Sequence, residues 1–201
     1  MLLADDGKFV IPTATKTGTF SLEAALKGRG FTQVMPRHTR TIPESHHGAR
    51  VLFMARHPYA RLVSMYRWGT VKKHSWLMVV TKDGFEQFCR NWAAARTARK
   101  PHDLTTLLHE YVATAKATNA RVNVHKLEAG GVQALLERLA PHYPMVKAVD
   151  KHLNRSSNRY AGDWQDLWTR AALDAIGDEL DGDLLLGDYD KPKAVRNVRP
   201  R

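Results

Sequence analysis

The chain has 201 residues, of which 43% are hydrophobic and 25% charged, and its formal net charge is +11. This composition is typical of a globular protein and excludes collagen-like, disordered and coiled-coil classes. The single cysteine, Cys89, excludes a disulfide within the chain and a multi-cysteine zinc site. Because Cys89 stands among apolar residues of a helical segment, we expect it to be buried and not catalytic.

The same composition bears on location and partners. No apolar run approaches the roughly 20 residues that a membrane-spanning helix needs. The first residues, MLLADDGKFVIP, lack the basic and apolar regions of a signal peptide. We therefore expect a cytoplasmic protein without a membrane span. The positive charge favours anionic partners, such as nucleic acid, acidic glycans or a polyphosphorylated cofactor.

Apolar runs and helical patterns alternate along the chain, which predicts an α/β fold with a central parallel β-sheet flanked by helices. Strands are predicted at residues 8–12, 31–35, 50–55 and 121–127. Helices are predicted at 19–27, from Pro58 onward, from 83 to about 99, and at 103–119, 131–139 and, for the most part, 163–180. Residues 1–190 are predicted to form a single domain, and residues 191–201 (KPKAVRNVRPR) a basic, flexible tail.

A loop of small polar residues joins the first predicted strand to the helix at 19–27. A strand, a loop and a helix in this order can bind phosphate, because the helix N-terminus presents N–H groups and partial positive charge. Gly18 allows close approach of the backbone, and Lys16 offers a positive charge. Thr17, Thr19 and Ser21 add hydroxyl groups. A capped helix without a ligand is an equal alternative for this segment alone.

A second candidate phosphate site follows the strand at 50–55. Arg56 stands at its carboxyl end, where open α/β sheets bind ligands, and Ser64 lies eight residues later on the next helix. A guanidinium can bind phosphate through two hydrogen bonds, and a hydroxyl can donate to the same group. Alone, Arg56 would be read as a surface ion-pair residue and Ser64 as an ordinary helix serine. Their order after this strand favours a binding role.

These two segments resemble the motifs of sulfotransferases that use 3′-phosphoadenosine 5′-phosphosulfate (PAPS), most closely the carbohydrate sulfotransferase branch. Residues 15–22 (TKTGTFSL) are similar to the family's 5′-phosphosulfate loop, PKTGTTSL. Residues 56–66 (RHPYARLVSMY) are similar to its 3′-phosphate motif, R-D/N-P-Y-x-R-L-V-S-x-Y. Thr15 replaces the usual proline and Phe20 the second threonine, so we expect weaker cofactor binding.

The resemblance implies a P-loop-like three-layer fold and transfer of a sulfuryl group from PAPS to an acceptor hydroxyl or amine, with 3′-phosphoadenosine 5′-phosphate (PAP) as product. Carbohydrates, acidic glycans and small alcohols are the candidate acceptors. No metal and no specific nucleic acid are implied. Lys16 would be catalytic at the 5′-phosphate. The implied cofactor-binding residues are Lys16, Thr17, Gly18, Thr19, Phe20, Ser21, Arg56, Ser64 and Arg155, with Arg159 as an alternative to Arg155.

The acceptor hydroxyl also needs a general base. Histidine suits this role because its ordinary pKa lies near the pH at which most enzymes work. His38 follows the second predicted strand, at the ligand-binding edge of the sheet, and is the favoured candidate. His46, His47 and Glu44 lie further along the same loop and stay as alternatives.

Three other functions are compatible with parts of the sequence. A P-loop nucleotide kinase shares the strand–loop–helix start, but its motif places lysine after the last glycine, whereas Lys16 precedes Gly18. A basic nucleic-acid-binding module would explain the charge, but no recognised motif of that class is present. A degenerate sulfotransferase fold that binds nucleotide without catalysis is the third alternative.

Overall fold

The computed structural model describes residues 1–34, 38–72, 84–98, 104–146 and 163–194. The chain forms two compact units, the first from Met1–His57 and Leu107–Arg155, the second from Pro58–Thr106 and Ser156–Arg201. Each unit combines two separate segments of the chain. The single domain predicted for residues 1–190, with a separate tail, stays a prediction.

The described residues form an α/β structure with a five-stranded mixed sheet and seven α-helices. The strands are β1 (Leu2–Ala4), β2 (Phe9–Ile11), β3 (Phe31–Gln33), β4 (Arg50–Ala55) and β5 (Arg121–Lys126). The helices are α1 (Thr19–Leu26), α2 (Pro58–Lys72), α3 (Gly84–Thr97), α4 (Leu108–Lys116), α5 (Gly131–Leu139), α6 (Arg170–Ile176) and α7 (Asp181–Gly187).

The sheet lies in the first unit and has the strand order β3-β1-β2-β4-β5. Strands β2, β4 and β5 are parallel, as predicted. The predicted parallel sheet is confirmed only in part, because β1 runs antiparallel to both β2 and β3 and makes the sheet mixed. The sequence pattern missed β1 altogether, although it predicted β2 and β3, which are equally short.

Helices contact both faces of this sheet. Leu52 and Met54 point to one face and belong to the apolar cluster that also contains residues of α1 and α5. Phe53 points to the other face, where the centroid of its ring lies 6.0 Å from that of Tyr111 in α4. This alternation is expected of a strand that is buried on both sides.

The second unit contains α2, α3, α6 and α7 around an aromatic core. The centroid of the Trp168 ring lies 4.6 Å from that of Tyr59 and 4.9 Å from that of Phe85, and both pairs pack edge to face. Cys89 is buried in α3, as expected, and burial raises the pKa of its thiol. Such a thiol stays protonated and unreactive at neutral pH.

A buried ion pair connects two helices of the second unit. Arg61 of α2 lies 3.9 Å from the carboxylate of Asp183 in α7, and both side chains are almost completely buried. Arg61 also donates a hydrogen bond of 2.9 Å to the carbonyl of Thr106.

Among the helices that the structure describes, none is long and apolar enough to cross a bilayer.

Candidate functional site

The loop after β2 lies at the carboxyl edge of the parallel strands. It leaves β2 at Ile11 and enters α1 at Thr19. The hydroxyls of Thr17 and Thr19 each donate a 2.8 Å hydrogen bond to the carbonyl of Ala14. A hydroxyl has a single proton to donate, so these two groups would have to break that bond before donating to a phosphate. In the structure their observed role is to hold the loop in shape.

Gly18 is the residue at which this loop turns into α1. It adopts a left-handed conformation with φ +82°, which residues other than glycine rarely adopt. A Cβ atom at this position would lie 3.1 Å from Cδ1 of Leu127. The Gly18 carbonyl accepts the N–H groups of Ser21 and Leu22, which begins the helical bonding. Glycine is therefore favoured here by its conformation, and a Cβ would need the Leu127 side chain to shift by a few tenths of an ångström.

Lys16 lies in the same loop, two residues before the glycine. Its backbone also has a positive φ, 66°, which costs energy for a residue with a side chain. Burial and, secondarily, the positive charge of Arg56 lower the pKa of Lys16 from 10.5 to about 8. The amine is thus partly buried and close to another cation. An anionic ligand would offset both the loss of hydration and the repulsion between the two positive charges.

Arg56 contacts the loop that contains Lys16. It follows β4, and its guanidinium donates a 3.3 Å hydrogen bond to the carbonyl of Lys16, forty residues away in the chain. The parallel pairing of β2 and β4 places the ends of both strands at one edge of the sheet. The sequence predicted both residues as ligands, and the structure brings them together.

Glu128 lies at the same candidate site, although the sequence assigned it no site role. It follows β5 at the same edge, and its carboxylate accepts a 2.9 Å hydrogen bond from the backbone N–H of His57. This bond restrains the turn that begins with Arg56. The rule that selected Arg56, a polar residue at the carboxyl end of a parallel strand, would also have selected Glu128.

His38 also contacts the loop between β2 and α1. Its Nδ1 forms a hydrogen bond with the carbonyl of Thr13, and its own carbonyl accepts a 2.9 Å bond from the hydroxyl of Tyr111. A carbonyl can only accept, so Nδ1 must be the donor, which leaves Nε2 of a neutral ring without a proton. His38 is therefore held in the tautomer that a general base requires.

The alternative bases lie at the opposite edge of the sheet. His46 bonds through Nε2 to the carbonyl of Ala4, 3.1 Å away. Because β1 is antiparallel to β2, Ala4 lies at the amino edge of the parallel strands. Glu44 belongs to the same 3₁₀ turn as His46, and His47 follows that turn. The geometry favours His38 over these three residues.

The remaining predicted residues have different placements. Phe20 is exposed in the first turn of α1, and Ser21 is buried there. Ser64 lies in α2, in the second unit, and is partly buried. Arg155 and Arg159 lie outside the described residues. Within the described ranges, no group of three or more His, Cys, Asp and Glu side chains is placed to hold a metal ion.

Comparison with known proteins adds no relative to this picture. The chain matches no protein-family model, no curated protein and no solved structure. The resemblance to sulfotransferases therefore depends on the two sequence motifs, and the case for a site depends on the geometry around Lys16 and Arg56.

Proposed function

We propose that this protein is a PAPS-dependent sulfotransferase with a P-loop-like arrangement of strand, loop and helix. The main support is the contact between Lys16 and Arg56 at the carboxyl edge of β2 and β4, beside the N-terminus of α1. Two cations and a helix N-terminus at one point on the sheet form a site suited to a phosphate dianion.

The lowered pKa of Lys16 is consistent with such a ligand. In the absence of an anion, burial and Arg56 both disfavour the charged amine. A bound 5′-phosphate would supply the opposite charge and raise the pKa again, so the ammonium form would be bound together with the nucleotide. In a partly buried site this attraction is stronger than it would be in water.

The proposed reaction assigns a separate role to each group. The S–O bond to the 5′-phosphate of PAPS breaks, its electron pair stays on that phosphate, and a new S–O bond forms to the acceptor. Lys16 would stabilise the negative charge that develops on the departing phosphate. Nε2 of His38 would accept the proton of the acceptor hydroxyl as the new bond forms.

Thermal and chemical unfolding with and without PAP test the proposal directly. PAP at a hundredfold excess over its Kd should add about 2.7 kcal/mol to the free energy of unfolding. Lys16→Met and Arg56→Gln should remove this gain. Lys27→Met, which removes a charge from the exposed end of α1, is the matched control and should keep it.

Two outcomes would reject the assignment. If ATP with Mg²⁺ stabilises the protein and PAP does not, the nucleotide kinase alternative replaces it. If PAP stabilises the wild type and the Lys16→Met variant equally, the nucleotide binds elsewhere and the proposed site is wrong. If PAP binding depends on Lys16 as proposed, release of labelled PAP from PAPS in the presence of candidate sugars distinguishes an active enzyme from a degenerate fold.

A further inference from the structure

Three basic residues lie in a row at the amino edge of the parallel strands. Lys8 precedes β2, Arg50 begins β4 and Arg121 begins β5. In the sheet register Arg50 is paired with Phe9 on one side and with Arg121 on the other. Neighbouring strands are about 4.8 Å apart, so the row concentrates positive charge over a short distance. All three residues are exposed.

A cavity of about 460 Å³ opens beside this row, and we call it the amino-edge pocket. It is lined by Lys8, Arg50, His47 and His142, among other residues, and none of the described residues in its lining is acidic. Phe9 contributes a buried apolar surface, and its ring lies 5.2 Å from that of His142. The pocket thus places the cations of Lys8 and Arg50 beside two imidazole rings, of which that of His47 already bonds through Nε2 to the carbonyl of Ile42, 3.3 Å away.

The nearby carboxylate of Asp6 already has partners. It lies 3.1 Å from the Lys8 amine and accepts a 2.6 Å hydrogen bond from the Tyr143 hydroxyl. Burial acts to raise the pKa of Asp6, but the bonds from Tyr143 and Lys8 outweigh it and lower the pKa overall. Asp6 therefore stays ionised and partly neutralises Lys8. In the part of the chain that the structure describes, no carboxylate forms a salt bridge with Arg50.

We propose that the amino-edge pocket binds a tetrahedral oxyanion, sulfate or phosphate, as the free ion or as an ester on a small molecule. The guanidinium of Arg50 can bind two oxygens of such a group at once. The exposed ring of His142 can add an N–H donor, whereas Nε2 of His47 is already bonded to the carbonyl of Ile42. The pocket lies at the opposite edge of the sheet from Lys16, so this inference does not depend on the proposed transferase activity.

Side-chain NMR of the histidines tests this site in the full-length protein. We expect the ring signals of His47 and His142 to shift saturably when sodium sulfate replaces sodium chloride at constant ionic strength. Arg50→Gln should weaken the apparent affinity at least tenfold. Arg90→Gln removes the same charge from an exposed position in α3 of the other unit and should leave the affinity unchanged.

A second titration distinguishes the two sources of the anion. Glucose 6-sulfate that binds more tightly than sulfate would identify an ester ligand, whereas equal or weaker binding would identify the free ion. The proposal is overturned if chloride produces the same shifts as sulfate. It is also overturned if Arg50→Gln and Arg90→Gln respond alike while both remain folded.

Discussion

Replacing Lys16 by methionine should stabilise the ligand-free protein at neutral pH. Methionine keeps the apolar stem of the side chain and removes the charge that burial disfavours. The pKa of Lys16 falls from 10.5 to about 8 on folding. A shift of this size corresponds to about 3 kcal/mol of destabilisation when the amine is charged in both states. The variant should recover up to that amount while losing PAP binding.

The stabilisation should depend on pH in a defined direction. Below about pH 8 the amine is protonated in both the folded and the unfolded chain, and the folded state bears the full cost. Between about 8 and 10.5 the unfolded chain binds more protons, so the free energy of unfolding of the wild type rises with pH. Above 10.5 the amine is neutral in both states. The advantage of Lys16→Met should therefore be complete below pH 8 and absent above 10.5.

Urea unfolding at pH 7 and at pH 10.5, without nucleotide, measures this difference. Lys27→Met serves as the control, because Lys27 is exposed at the end of α1, and its effect should be small at both pH values. The reasoning would be refuted if Lys16→Met were less stable than the wild type at pH 7. A stabilisation of equal size at both pH values would refute it as well, because the gain would then be unrelated to the charge.

Three further predictions concern stability and turnover. Gly18→Ala should destabilise the protein by about 1–3 kcal/mol from its positive φ, and by more than Gly28→Ala, since only a Cβ at Gly18 meets a neighbour within 4 Å. Asp183→Ala should cost about 3–5 kcal/mol in urea unfolding, because it leaves the buried Arg61 charge without its carboxylate. His38→Gln should lower kcat with PAPS by about 100-fold or more and leave the Kd for PAP unchanged.

Each of these predictions has a matched control. Equal costs at Gly18 and Gly28 would show that the contact with the neighbouring side chain is unimportant. Asp174→Ala removes an exposed ion-pair partner and should cost less than about 1 kcal/mol; a similar cost for Asp183→Ala would contradict the buried-pair argument. His46→Gln should keep its kcat, and a larger loss there than in His38→Gln would assign the base to the other edge of the sheet.

Local sequence signals predicted several elements to the residue. The apolar run Arg50–Ala55 is β4, Pro58 begins α2, and the pattern at 131–139 is α5. Proline suits the first helical position, and nine residues are enough to show a helical period. The helix predicted at 103–119 is shorter and spans Leu108–Lys116. Residues 104–107, just before it, form a turn and an extended segment.

The candidate site was predicted only in part. The motifs predicted phosphate-binding roles for Lys16 and Arg56, but not the hydrogen bond between them, which requires β2 and β4 to be parallel neighbours. They also predicted that the Thr17 hydroxyl donates a hydrogen bond to phosphate, whereas in the structure it donates to the backbone carbonyl of Ala14. The position of Glu128 after β5 could be read from the sequence, but its hydrogen bond to the turn after β4 could not.

The sequence by itself determined the alternation of strands and helices, the two basic motifs and the overall positive charge, because these depend on neighbouring residues and on composition. Only the tertiary structure decided the antiparallel placement of β1, the edges of the sheet at which His38 and His46 lie, and the lowered pKa of Lys16. Strand direction, burial and the proximity of charges arise from pairing between residues far apart in the chain. No short window of sequence contains that information.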